Sequence, residues 1–311
     1  MPLLAKMTGW WKRGPAREPA VRVPVAAIDV GPVVRMAGTA VSRDWSGPLL
    51  RMAGVDATTR LSAEQSAALV AATKRALVRF ADDPQRLPRR PQLLPQLLST
   101  LNDDEASSRD IAGIIARDPA LAANLLKLAN SALYRSQAAP VDSLDRAVAM
   151  VGVDGLRHLV SVALMQPVMR LDGGVFGRLP DLIWDHTQRT ALLASQAARP
   201  AGREDVFAAQ LLSLLQGLGA IVVVQVLRDT CAQADAGLPD ADAIARLLRR
   251  WSPRLGRAVA REWALSDRLM QALDDQVVDE VAAMSALGRC LALAAPAASV
   301  AMESADVADA A

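Results

Sequence analysis

Histidine and cysteine are the scarcest chemistry-bearing residues in this chain, with 2 of each in 311 residues. Cys231 and Cys290 lie far apart and no CxxC is present, which excludes a disulfide framework and a zinc knuckle. His158 and His186 are the only imidazoles, and neither is followed by Asp. Any hydrolase that gathers several histidines around its metal is therefore excluded on supply alone. Aromatics make up 3% of the chain, too few for a basic surface interleaved with stacking rings. The apolar runs Leu218 to Leu227 and Cys290 to Met302 are shorter than a spanning helix needs, and Pro296 interrupts the second. The start, through Lys12 and Arg13, has no apolar stretch of the secretory kind. Two unpaired cysteines fit a reducing compartment, so the expectation is a soluble cytoplasmic protein with no membrane span.

What the chain does have is apolar content and segregated charge. Apolar residues are 52% of the total, and 35 Lys+Arg face 33 Asp+Glu. Residues 1–90 hold 15 basic and 7 acidic side chains, whereas residues 91–311 hold 20 and 26. That split reads as a basic arm on a mildly acidic body. Within 1–60 the turn residues recur (Gly14-Pro15, Gly31-Pro32, Gly47-Pro48, Gly54) and no helical period survives, so this segment is expected to be a largely irregular arm. The arm could bind nucleic acid through its charge, a lesser alternative because excess positive charge commonly serves solubility.

From Leu61 onward the period is helical. Ser62 with Gln65 is a capping-box pair, and Leu69, Ala72, Ala76 and Phe80 share one face. Pro95 opens a second helix, Ser107 with Asp110 caps a third, and Asp118-Pro119 starts a fourth along Leu121, Leu125, Leu128 and Ala132. Leu144 to Val151 and Leu156 to Leu164 suggest two more, the second capped by Asp154. Gly173-Gly174 separates this half from a second, with helices expected at 181–198, 203–216, 219–230, 240–251, 254–262, 266–276 and 278–294. The β-branched run Ala220 to Leu227 is assigned to a buried helix because it has no strand partner. The reading is an all-α body over 61–295, preceded by the arm and followed by a small acidic tail at 296–311.

The common catalytic signatures are missing: no GxxxxGK[ST], no GxGxxG opening a helix, no GxSxG and no HExxH. The carboxylates at Asp103-Asp104-Glu105 and Asp274-Asp275 sit near expected helix ends, where they cap, meet the helix dipole or face water. Each cysteine reads as core filler.

Several strings nevertheless carry a resemblance. Asp118-Pro119-Ala120-Leu121, then Leu125 to Tyr134, then Val141 to Val148 with Val151 to Arg157, resemble the HDOD domain, the HD-related output domain of bacterial signalling proteins. Leu87-Pro88 and Pro95 are similar to its opening. Trp184-Asp185-His186-Thr187 and Trp263-Ala264-Leu265-Ser266 are similar to two later motifs, so the motif core spans about 87–285. The resemblance implies a multi-helix bundle in two halves. It also places Leu214-Leu215-Gln216-Gly217-Leu218-Gly219 where many members keep a His-Asp relic of a metal site. Gln216 and Gly217 stand at that lost metal-pair position, and the late His-His of many members is absent.

Asp118 fits a structural N-cap, and Asn130 with Ser131 fit local backbone capping, with ligand contact as the alternative for that pair. His186 fits a buried, hydrogen-bonded histidine, with the wall of a relic pocket as the alternative. Candidate partner or ligand contacts are His186, Arg157, Arg189, Asn130, Ser131 and Tyr134. The resemblance implies a non-catalytic signal-transduction module that needs no cofactor and acts through another signalling protein. The alternative is a degenerate phosphohydrolase that binds or cleaves a cyclic nucleotide, with Arg157, Arg189 and His186 as phosphate contacts.

Overall fold

The computed structural model describes residues 43–55, 61–102, 107–131, 143–144, 146–147, 158–163, 176–201 and 203–310. The described residues form helices and turns, with no strand among them. The basic segment before Arg43, Tyr134, Asp154, Arg157 and Gly173-Gly174 fall outside the described residues, as do Asp103-Asp104-Glu105.

The all-α expectation holds, and its capping signals are realised atom by atom. In α2 (Ala63–Ala81), Ser62 and Gln65 exchange both capping-box hydrogen bonds. Its buried face is Ser66, Leu69, Thr73 and Leu77, one notch away from the Ala72 edge that the sequence pattern favours. Helix α3 is Leu94–Asn102. Ser107 and Asp110 exchange the same pair of bonds at the start of α4 (Ser108–Ile115). Asp118 Oδ1 accepts the Leu121 amide at 3.1 Å and so starts α5 (Pro119–Ala129). Residues 158–163 are helical, with Leu159 and Val160 buried.

Three expected breaks are absent. Helix α6 is Leu179–Ala198, and α7 runs unbroken from Arg203 to Gln233, through Gly217 and Gly219. These glycines allow close packing and do not end the helix. A Cβ on Gly219 would sit 2.0 Å from the Ser252 carbonyl oxygen, and one on Gly256 would sit 2.7 Å from the Leu215 carbonyl oxygen. The backbones of α7 and α8 therefore touch where those residues face each other. Helix α8 (Ala241–Glu262) likewise continues through Pro253. After α9 (Asp267–Asp274), residues 278–285 hold one short 3₁₀ turn, Val281–Ala283, where a helix was expected from 278. Helix α10 (Ala286–Ala310) passes through Pro296 and absorbs most of the expected tail, burying Ala297, Ala298 and Met302.

Helix α7 is apolar nearly all round, and helices with that character are buried. It packs on α6, α8, α2 and α10 and is the axis of the bundle. Both α7 and α10 are long and apolar enough to match a membrane span in length and composition, yet 89% of the most apolar stretch of α7 is covered by the bundle itself. Buried and part-buried hydroxyls along these helices donate to their own backbone. Thr73, Thr187, Ser213 and Thr230 each donate to the carbonyl four residues earlier, at 2.7–2.8 Å.

The arm also differs from expectation. Residues Ser46–Met52 form a helix, α1, whose Leu49 and Leu50 are fully buried. Asp44 Oδ1 accepts the amides of Ser46 and Gly47 at 3.1 and 3.0 Å, and Pro48 sits in the first turn, where it removes no intrahelical hydrogen bond. Gly47-Pro48 is thus a helix start, not a break.

Candidate functional site

The motif residues converge from distant parts of the chain. Trp263 is fully buried, and its indole N–H donates to the Pro88 carbonyl at 2.7 Å, while Arg90 donates to the Trp263 carbonyl at 2.9 Å. The opening Leu87-Pro88 string and the late Trp-Ala-Leu-Ser turn are therefore one joint. Ala264, with φ of +54°, occupies the left-handed region that turns the chain there. Asn130 spends its side-chain amide on the Leu126 carbonyl, 2.9 Å away, and the Ser131 amide closes onto Leu128. Both sit at the exit of α5 and have local backbone partners.

His186 lies on α6, 4% exposed. Its Nε2 is 2.8 Å from the Ala295 carbonyl of α10 and 3.4 Å from the Thr190 hydroxyl. The ring stacks on Trp45 with centroids 5.1 Å apart and planes 16° from parallel. Burial drives its pKa down to about 4, and the bond to Ala295 only partly opposes this. His158 is lowered further, to about 3, by burial. Both imidazoles are neutral near pH 7. Arg189, one helical turn beyond Asp185, is 7% exposed, and burial raises Asp185 to about 6 while the Arg189 charge opposes. Trp45 comes from the segment expected to be an irregular arm. No periodicity marked it, because a seven-residue helix is too short to show one.

Gln216 and Gly217, which the resemblance places at a metal-pair position, sit where α7 crosses α6. A Cβ on Gly217 would fall 2.1 Å from Thr187 Oγ1 and 2.9 Å from Thr187 Cβ. Thr187 is itself fixed, since its hydroxyl donates to Ile183 at 2.7 Å. The space a carboxylate would need at 217 is already filled by the neighbouring helix. Among the described residues no three His, Cys, Asp or Glu side chains cluster closely enough to hold a metal ion. Hard and borderline divalent ions take carboxylate, imidazole or thiolate donors, and Gln216 with Thr187 do not fit that role. Nor do the cysteines supply a soft ligand: Cys231 is buried and its thiol is raised to about 11 by burial, and Cys290 is raised by the same cause.

Asp274 pairs with Arg257 at 2.8 Å, whereas Asp275 is buried and accepts the Ser285 amide at 2.9 Å and the Ser285 hydroxyl. These carboxylates are structural. Gln216, 6% exposed, lines a cavity of about 430 Å³ bounded by the segment around Arg43 and by α2, α7, α8 and α10. Neither His186 nor Arg189 lines it.

The geometry defines an all-α bundle in which positions 216 and 217, where the resemblance places a metal pair, carry packing residues. The HDOD domain profile matches residues 87–277, and the chain belongs to that family. Among solved structures, it is similar to an HDOD domain protein of unknown function from Geobacter sulfurreducens, at 22% identity and a TM-score of 0.47, over 73% of this chain and 76% of that one. It is also similar to a protein from Shewanella amazonensis provisionally named a phosphohydrolase, at 24% identity and a TM-score of 0.48, over 72% of this chain and 80% of that one. A curated relative, an uncharacterized protein of Treponema pallidum, is 25% identical over 201 residues, 62% of this chain and 38% of the relative. The match thus covers well under two thirds of that relative's length.

Proposed function

We propose that this HDOD protein is a non-catalytic regulatory module that acts by binding another signalling protein. One observation carries the reading: Thr187 occupies the volume that a carboxylate at position 217 would need. Water activation by a bound metal requires an open coordination position and acidic or imidazole donors around it. Here the two positions hold an amide and a glycine, and the remaining imidazole at 186 is engaged with Ala295 and covered by Trp45. Such a bundle retains the packing of an HD fold and offers a partner its surface.

The test is hydrolysis of bis-p-nitrophenyl phosphate and of a cyclic dinucleotide by the full chain with Mn²⁺ or Mg²⁺. The expected result is no turnover above the metal-only blank. Metal-dependent turnover that co-purifies with the protein and is lost in His186→Phe overturns the reading. A reconstruction adds a second arm: Gln216→His with Gly217→Asp should gain no activity and should lower stability, because Thr187 blocks the new side chain.

A further inference from the structure

The cavity beside Gln216 is lined by five cationic side chains, Arg43, Lys74, Arg246, Arg249 and Arg250, against one carboxylate, Asp279. Arg43 is committed to the backbone, donating to the Val278 carbonyl and to the Gln276 carbonyl. Arg246 reaches Asp240 only at 3.9 Å, across exposed side chains. Among the described residues, Lys74, Arg249 and Arg250 have neither a hydrogen bond nor an ion pair through their side chains. These charges crowd one another: burial lowers the Arg43 pKa, Asp279 opposes, and Arg249 adds to the lowering. The deeper wall is different. Trp45, Leu247 and Ala295 are buried there, and Gln216 lies among them with no hydrogen bond to its amide among the described residues. The cavity thus combines an unneutralised cationic rim with an amide, on an apolar wall, that has no protein hydrogen-bond partner among the described residues.

We propose that this cavity binds a small organic phosphate, with its phosphoryl groups at Lys74, Arg249 and Arg250 and its body against Leu247 and the Gln216 amide. Charge selects the class. A phosphomonoester carries about −1.5 to −2 near neutral pH, so one or two phosphoryl groups balance the rim, whereas a carboxylate contributes one charge each. Guanidinium groups also match phosphoryl oxygens in pairs of parallel hydrogen bonds. The volume of about 430 Å³ lies within the range of roughly 300–1,000 Å³ that small-molecule sites occupy. The inference rests on the cavity alone, so a null result here leaves the proposed function intact, and hydrolytic activity would leave this site intact.

Calorimetric titration of the full chain tests it, with ADP, inorganic pyrophosphate, citrate and adenosine as probes. ADP and pyrophosphate should bind with dissociation constants of tens of micromolar, on the order of 6 kcal/mol, and citrate and adenosine at least about tenfold more weakly. Arg249→Glu with Arg250→Glu, both at exposed positions, should weaken ADP by roughly a hundredfold, and Arg86→Glu, remote from the cavity, should change nothing. Gln216→Met, which keeps the side-chain volume, should weaken ADP several-fold. Absence of binding at millimolar ADP overturns the proposal, as does citrate binding as tightly as ADP. Indifference to the double substitution or to Gln216→Met overturns it too, since either places the anion on the general surface. An acidic peptide that binds more tightly than ADP would assign the cavity to a protein partner and refute the small-molecule reading.

Discussion

Replacing Gly219 by Ala should destabilise the protein, although the same change on an exposed helix would stabilise it. The added Cβ falls 2.0 Å from the Ser252 carbonyl oxygen and 3.0 Å from the Gly256 amide nitrogen, both backbone atoms of α8. Ordinary contact begins near 3.4 Å, so the two helices must part by about 1 Å along their most intimate crossing. Overpacking in a filled core costs about 1–3 kcal/mol, and separation of two backbones belongs at the upper end. Better helix propensity returns about 1 kcal/mol. The net loss should be about 2 kcal/mol, which lowers Tm by roughly 4–8 °C for a domain of this size. Gly113 on α4 is the matched control: it is exposed, and nothing lies within 4 Å of its Cβ position. Gly113→Ala should therefore raise stability by about 0.5–1 kcal/mol. Thermal unfolding followed by circular dichroism measures both. If Gly219→Ala unfolds at or above the wild-type temperature, the close approach of α7 and α8 is wrong and the packing argument at Gly217 weakens with it.

Trp45→Ala should cost about 3–5 kcal/mol, read as a lower urea midpoint, because it removes a buried indole and uncovers His186. Stability should also fall in acid. His186 and His158 are held below their ordinary value of 6.5, so the unfolded chain takes up protons first and stability drops as pH falls from about 6.5 toward 4. Asp185 acts in the opposite direction: its raised pKa favours the folded state as pH falls from about 6 toward 3.8, so Asp185→Asn should steepen the acid loss. Urea titrations at pH 7.5 and 5.0 measure both effects, and a His186→Phe variant should show the shallower pH dependence. Finally, Cys231 should resist a disulfide-exchange reagent at pH 8 in the folded protein and react once unfolded in guanidinium, because burial holds the thiol near 11.

Capping and motif signals were legible because they are local. Ser62–Gln65, Ser107–Asp110 and Asp118 each act within three residues of themselves, and each makes the bond its spacing implies. Glycine and proline were misleading for the same reason. Gly217, Gly219 and Pro253 are breakers only where nothing outside the helix compensates, and here a facing helix fixes their role. Gln216 and Gly217 were visible as residue identities, but the packing at Gly217 was not, since Thr187 lies thirty residues away. The cavity has no local sequence signature: its rim draws on Arg43, Lys74 and three arginines of α8, whose only shared sequence signal is positive charge. Trp45 was hidden by a Gly-Pro pair that opens a helix.

Helix α1 has one further consequence. It lies against α6, α8 and α10, Arg51 grips Glu303 by two hydrogen bonds of 2.7 and 3.0 Å, and Trp45 covers the ring that holds Ala295. The family match begins at Leu87, yet the apolar surface it encloses is sealed by residues 45–55 and by the last described helix together. During synthesis the first of these pieces is made long before the second, so the bundle cannot shut until α10 has emerged. A fragment cut at the family boundary would leave that seam open, and its solubility would report on the missing lid before it reported on function.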